Sequence, residues 1–188
     1  MPSQLVGLRY AVTWSDFQGN VPADAAHTAH IDTKMKLNYG WKSKGGSYSL
    51  ADNVVVTVLL SRQKSWAKAA ERTAALLAHE QRHYDITALM ARDCFIELMG
   101  MKGQGFPSQA ALEKAVATVV AAYPIQTIQE RYDDETNHSQ IGAQQTRWDC
   151  MIQRAFTQAR TPAKTAPDGT VYKIPLLTVL AGSNAACA

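Results

Sequence analysis

No long apolar run occurs in this sequence, so no segment reads as a membrane span. The first residues, MPSQLVGLRY, lack the charged start and apolar centre of a secretion leader. Lys and Arg form no runs, and the formal net charge is only +3. That balance argues against the concentrated basic field of a nucleic-acid binder. No CxxC pair is present, which argues against a cysteine-based zinc knuckle. The three cysteines, Cys94, Cys150 and Cys187, are an odd number, and Cys94–Cys150 is the expected pair if one disulfide forms. Pro and Gly are absent from Trp66 to Met99, which leaves that segment free to be one long helix.

What remains is an ordinary globular composition, with 46% hydrophobic and 19% charged residues. A chain of 188 residues can bury a core without metal or disulfide staples. We expect residues 1–160 to form one domain and residues 161–188 a tail.

The first sixty-odd residues read as strands: Leu8 to Trp14, His27 to Tyr39, and Tyr48 to Leu60 with its VVVTVLL run. The glycine turn at Lys44, Gly45 and Gly46 suggests an antiparallel hairpin joining the last two. The segment from Trp66 to Met99 is rich in Ala, Leu, Glu, Arg and Met, and Gly100 supplies a stop. Ser108 then caps a second helix, Gln109 to Ala122. Pro124 interrupts it, with helix resuming to Glu130. Asn137 to Ala159 reads as a last helix, on which Trp148 and Phe156 pack inward. In the tail, VYKIPLLTVL reads as a strand, and Pro175 puts it at an edge. The fold class is α+β: a small N-terminal antiparallel sheet, then a long helix and further helices.

The long helix contains LLAHEQRHYDI, residues 76 to 86. His79 and His83 are four apart and fall about 40° from one another on a helical wheel, one turn apart on one face. This is the spacing of a chelating pair in an HExxH zinc site. Glu80 falls in the middle of the apolar arc formed by Leu76, Leu77, Met90, Phe95 and Leu98. Gln81, Arg82, Asp85, Arg92 and Asp93 fill the opposite side, expected to face solvent. An unpaired carboxylate placed where a leucine belongs is costly unless it has work to do. In zinc hydrolases of this pattern the glutamate is the general base rather than a ligand.

A catalytic zinc takes three protein ligands, and HExxH supplies two. His27 and His30 are three apart in an expected strand, so they point to opposite faces and cannot act as a pair. Both read as ordinary surface or core histidines. Asp85 lies on the far side of the wheel and reads as a surface carboxylate or one that supports the site from behind. The polar cluster RYDDETNHSQ, 131 to 140, offers Asp133, Asp134, Glu135 and His138. Spacing alone does not choose between His138 and an acidic residue.

Four motifs together, TWSDFQG (13 to 19), HEQRHYDI (79 to 86), YDDETNH (132 to 138) and QQTRW (144 to 148), resemble a bacterial family, domain of unknown function 922. Its members are regarded as predicted secreted zinc-dependent proteases. The resemblance runs from about residue 10 to about residue 158, and the sequence departs from the pattern at Arg82 and Ser139, where glycine is usual. It implies His79, His83 and His138 as zinc ligands and Glu80 as base. Tyr132, six residues before His138, is then a candidate oxyanion donor, and Asp133 a candidate hydrogen-bond acceptor for a ligand imidazole. The implied activity is that of a zinc-dependent peptidase with a zincin-like fold, acting on a peptide or protein in a secreted or periplasmic setting. By analogy with such folds, the Tyr48–Leu60 strand would offer its edge to an extended peptide. The alternative is a non-catalytic zinc-containing module that binds a protein partner.

Overall fold

The computed structural model of the chain describes residues 2–160, 170–182 and 187. Seven short strands precede five helices, so the class is α+β as expected. The strands are β1 (Gln4–Val6), β2 (Ala29–His30), β3 (Thr33–Asn38), β4 (Trp41–Lys44), β5 (Ser47–Leu50), β6 (Val55–Leu60) and β7 (Trp66–Ala67). The helices are α1 (Ala74–Gly100), α2 (Gln109–Ala121), α3 (Ile125–Thr136), α4 (Gly142–Thr157) and α5 (Leu176–Ala181).

The expected Tyr48–Leu60 strand is two strands. Ala51, Asp52 and Asn53 break it: the Ala51 amide donates to Gly40 O, and Asn53 Oδ1 accepts from the Gly40 amide at 3.0 Å. These contacts to Gly40 take the place of ladder pairing. The glycine hairpin therefore closes β4 onto β5, with Gly45 and Gly46 at φ of 58° and 78° as a two-residue turn needs. Beyond the turn, β6 carries the β-branched run into the centre of the main sheet, in the order β1-β6-β3. It pairs antiparallel with β3 and parallel with β1. Along β3 the burial alternates, with Lys34, Lys36 and Asn38 outward and Met35 and Leu37 turned toward the core. The expected strand at Leu8–Trp14 is not one. The first strand ends at Val6, and Trp14–Asp16 forms a 3-10 turn.

The long helix starts later than its composition suggests. Trp66 and Ala67 are drawn into pairing with β2, and Thr73 caps the helix by accepting from the Leu76 amide at 3.1 Å. Gly100 is its last residue rather than its stop. Pro124 separates α2 from α3, but α3 runs on to Thr136. The cluster expected between helices is therefore mostly helical, and α4 begins at Gly142 rather than Asn137. Between α3 and α4, Asn137, His138 and Ser139 all take positive φ (45°, 49° and 75°). The tail's apolar run forms α5, not an edge strand. Its Leu176, Val179 and Leu180 are buried, which a helical stripe achieves and a strand alternation would not.

The side of α1 expected to face solvent is mostly covered. Arg92 and Asp93 are 6% and 4% exposed, because α4 and α5 pack over them. Arg92 donates to Asp93 Oδ1, to Ala155 O and to Ile174 O, so the buried charge is fully engaged. The disulfide joins Cys150 to Cys187, not to Cys94. Cys94 is a free thiol sealed inside the core. Among the described residues, no helix is long and apolar enough to cross a membrane.

Candidate metal centre

The helical spacing in α1 delivers what it promises. His79 and His83 are buried on one face, with ring centroids 5.0 Å apart. Because α3 continues through residue 133, Asp133 lies across from them. Its Oδ1 is 3.0 Å from His79 Nε2 and 3.0 Å from His83 Nε2. The possible ligand atoms of these three residues all lie within 4.8 Å of one another. His138 joins from the turn after α3, with Nδ1 3.3 Å from the same Asp133 oxygen. Among the described residues, the compact group able to hold a metal is thus His79, His83 and Asp133, while His138 stands beside Asp133 and half exposed.

These residues open into a cleft of about 170 Å³. Glu80 lines it and is 3% exposed, and its Oε2 has no hydrogen-bond partner. Burial, and then the nearby Asp133 charge, push the Glu80 carboxyl up to about 8, against the pull of the Ile31 amide. Burial also opposes the charge on Asp133. Hydrogen bonds from His79 and His83 outweigh it and hold that carboxyl well below the usual range. Burial likewise pushes the His83 imidazole below its ordinary value, and its Nδ1 has no partner.

This donor set fits a divalent cation. Three imidazole nitrogens crowd a single carboxylate oxygen, two of them at 3.0 Å. His79 Nδ1 already faces the acceptor Gln145 Oε1 at 3.2 Å. A proton there leaves Nε2 as the nitrogen free to ligate: in the metal-free site it meets Asp133 through a shared proton, and a cation takes that proton's place. Two imidazoles and a carboxylate are a zinc donor set, and Glu80 with its unpartnered oxygen stands beside it.

The chain's five histidines all line this one cleft. Sequence reading set aside His27 and His30, yet the His27 ring lies 4.0 Å from that of His138 and His30 stands at the rim. Nothing local in the sequence signals this, because β2 reaches the site through its pairing with β7. Asp85 is more buried than expected, held by Arg82 and Gln81 on the far side of α1.

Tyr132 does not reach the cleft, which corrects its reading as an oxyanion donor. It is fully buried and stacks on His79 at 4.6 Å, and its hydroxyl donates to Gln145 Oε1 at 2.8 Å. Trp148 packs edge-on against it at 5.1 Å and donates to Glu135 Oε2. The edge expected for peptide binding is also displaced. Both sides of β6 are occupied by β1 and β3.

No curated protein and no solved structure matches the chain. Residues 11–139 match the family described as bacterial protein of unknown function (DUF922), a span that holds all five histidines, Glu80 and Asp133. The chain belongs to that family.

Proposed function

We propose that the protein is a zinc-dependent peptidase. The observation that carries this reading is Glu80: a buried carboxyl with an unpartnered oxygen, in the same cleft as His79, His83 and Asp133. The metal would be held by His79, His83 and Asp133. Bound zinc would polarise a scissile carbonyl and acidify a water. Glu80 accepts a proton from water in the cleft and returns it to the departing amine. Its burial strengthens each charge interaction there.

The substrate class is supported by the wall opposite α1. In the β2–β7 ladder, Lys68 N donates to Thr28 O, so Thr28 and His30 turn their backbone groups toward β7. Ala29 and Ile31 turn theirs the other way, toward the cleft, where the Ile31 amide meets Glu80. An extended peptide could pair along that edge. The Cys150–Cys187 disulfide supports an oxidising setting, secreted or periplasmic.

A second reading rests on His138 Nδ1, 3.3 Å from Asp133. If His138 also ligates, the site closes with four donors and suits a zinc-containing binding module without turnover. The deciding experiment measures zinc per chain and hydrolysis of an unfolded protein substrate for wild type, His83→Ala and Glu80→Gln. Expected are about one zinc in wild type and Glu80→Gln, loss of zinc in His83→Ala, and cleavage lowered about 10²–10⁴-fold in Glu80→Gln. Cleavage by Glu80→Gln at the wild-type rate would sink the mechanism. Zinc without cleavage in the wild type would leave the binding module.

A further inference from the structure

The QQTRW segment on α4 lies outside the ligand set, yet one of its side chains touches a ligand. Gln145 Oε1 is 3.2 Å from His79 Nδ1 and accepts the Tyr132 hydroxyl at 2.8 Å. Its Nε2 donates to Asp149 Oδ1 at 2.9 Å, and the same oxygen accepts from Arg82 Nε at 2.7 Å. Arg82 is in turn held by Asp85 at 2.8 Å.

This chain of contacts removes the ambiguity of the amide. A carboxylate accepts only, so the nitrogen of Gln145 must face Asp149. The oxygen must then face Tyr132 and His79. Only an N–H can meet that oxygen, so His79 carries its proton on Nδ1. Its Nε2, 3.0 Å from Asp133, is the nitrogen left to a metal. His83 has no such partner, and its Nδ1 is buried and unengaged. The two imidazoles of the motif are therefore unequal. One is fixed in tautomer and orientation from behind, and the other is not.

We propose that Gln145 is the positioning residue of the site: it locks His79 in the Nδ1–H tautomer and so prepares its Nε2 to bind the metal. The proposal rests on the metal reading above. It also accounts for two neighbours of Gln145 on α4. Asp149, steadied by Arg82, orients the amide, and Trp148 packs the Tyr132 ring that lies flat on His79. Partners of this kind, behind a ligating histidine, typically carry 10–100-fold in metal affinity, about that order being expected here.

The test compares wild type, Gln145→Leu and the double variant Gln145→Glu with Asp149→Asn. The double variant exchanges acid and amide: it keeps an acceptor toward His79 and Tyr132 and a hydrogen bond between positions 145 and 149, and gives up the contact of Arg82 with the same Asp149 oxygen. Imidazole tautomers are read in the metal-free protein by long-range proton–nitrogen NMR correlation, and zinc affinity by competition with a chelator. Wild type should show a proton held on His79 Nδ1. Gln145→Leu should lose that signature and bind zinc about 10–100-fold more weakly, and the double variant should recover both. A folded Gln145→Leu that keeps the tautomer and binds zinc within about twofold of wild type overturns the proposal. If Gln145→Leu fails to fold, failure of the double variant to show the Nδ1–H tautomer overturns it equally. If wild type binds no zinc, the metal reading falls, and the tautomer comparison still decides the role of Gln145.

Discussion

Asp93 Oδ2 accepts the backbone amide of Leu176 at 2.8 Å, joining the middle of α1 to the first turn of α5 across 83 residues of sequence. Its other oxygen takes the guanidinium of Arg92, and both side chains are buried. Asp93→Ala would therefore strand a buried arginine charge and leave the α5 amide without its acceptor. We expect a loss of about 3–5 kcal/mol in a urea titration. An exposed-charge effect of about 0.5 kcal/mol or less would contradict this packing.

Ser139 occupies a backbone conformation that suits glycine, with φ at 75°. Glycine removes the clash of Cβ with the backbone in that region. Ser139→Gly should raise the unfolding free energy by about 1 kcal/mol, seen as a higher melting temperature. The gain comes without touching Asn137 or His138, so zinc content should be unchanged.

Acid should weaken the N-terminal segment through Asp16. Burial opposes its charge, but the Thr13 amide, the Tyr10 and Thr13 hydroxyls and Arg62 together lower its pKa below the ordinary 3.8. A carboxyl whose folded pKa is depressed stabilises fully above its unfolded value. That contribution disappears as pH falls through the folded one. The stability gap between wild type and Asp16→Asn should be constant near neutrality and shrink below about pH 4. Denaturant midpoints measured from pH 7 down to pH 2 would reveal a flat gap if Asp16 plays no such part.

The thiols give a counting experiment. Cys94 is buried, and burial, then Glu97 and Asp93, push its pKa up to about 12. Native protein should react with no thiol reagent on a timescale of minutes. Denatured but unreduced protein should show one thiol, from Cys94, and reduced protein all three cysteines. Opening the bridge, which closes a separation of 37 residues, should cost about 3–4 kcal/mol in the chain-entropy picture.

The legible part of this molecule was local. A four-residue spacing set His79 beside His83, and one glutamate among leucines marked Glu80 as out of place. Ser108 and the glycine pair of the hairpin declared their turns. What escaped was decided by distant packing. A helical wheel assigns one inward face, but sheet and helices wrap α1 from more than one side, so Arg92 and Asp93 are buried with partners supplied by α4 and the start of α5. Tyr132 looked available because its cluster was read as a loop. One more turn of helix carried it inward and brought Asp133 to His79 and His83 instead. Gln145 carries no charge and belongs to no familiar ligand spacing, so its contact with His79, 66 residues away, had no signal within α4 itself.

The gathering of every histidine into one cleft has a practical corollary. Acylating reagents that seek imidazole report, through their histidine adducts, on this cleft alone. Each histidine adduct mapped by mass spectrometry lands on its lining. The order in which His27, His30 and His138 are modified, ahead of the buried His79 and His83, would trace the entrance from rim to floor.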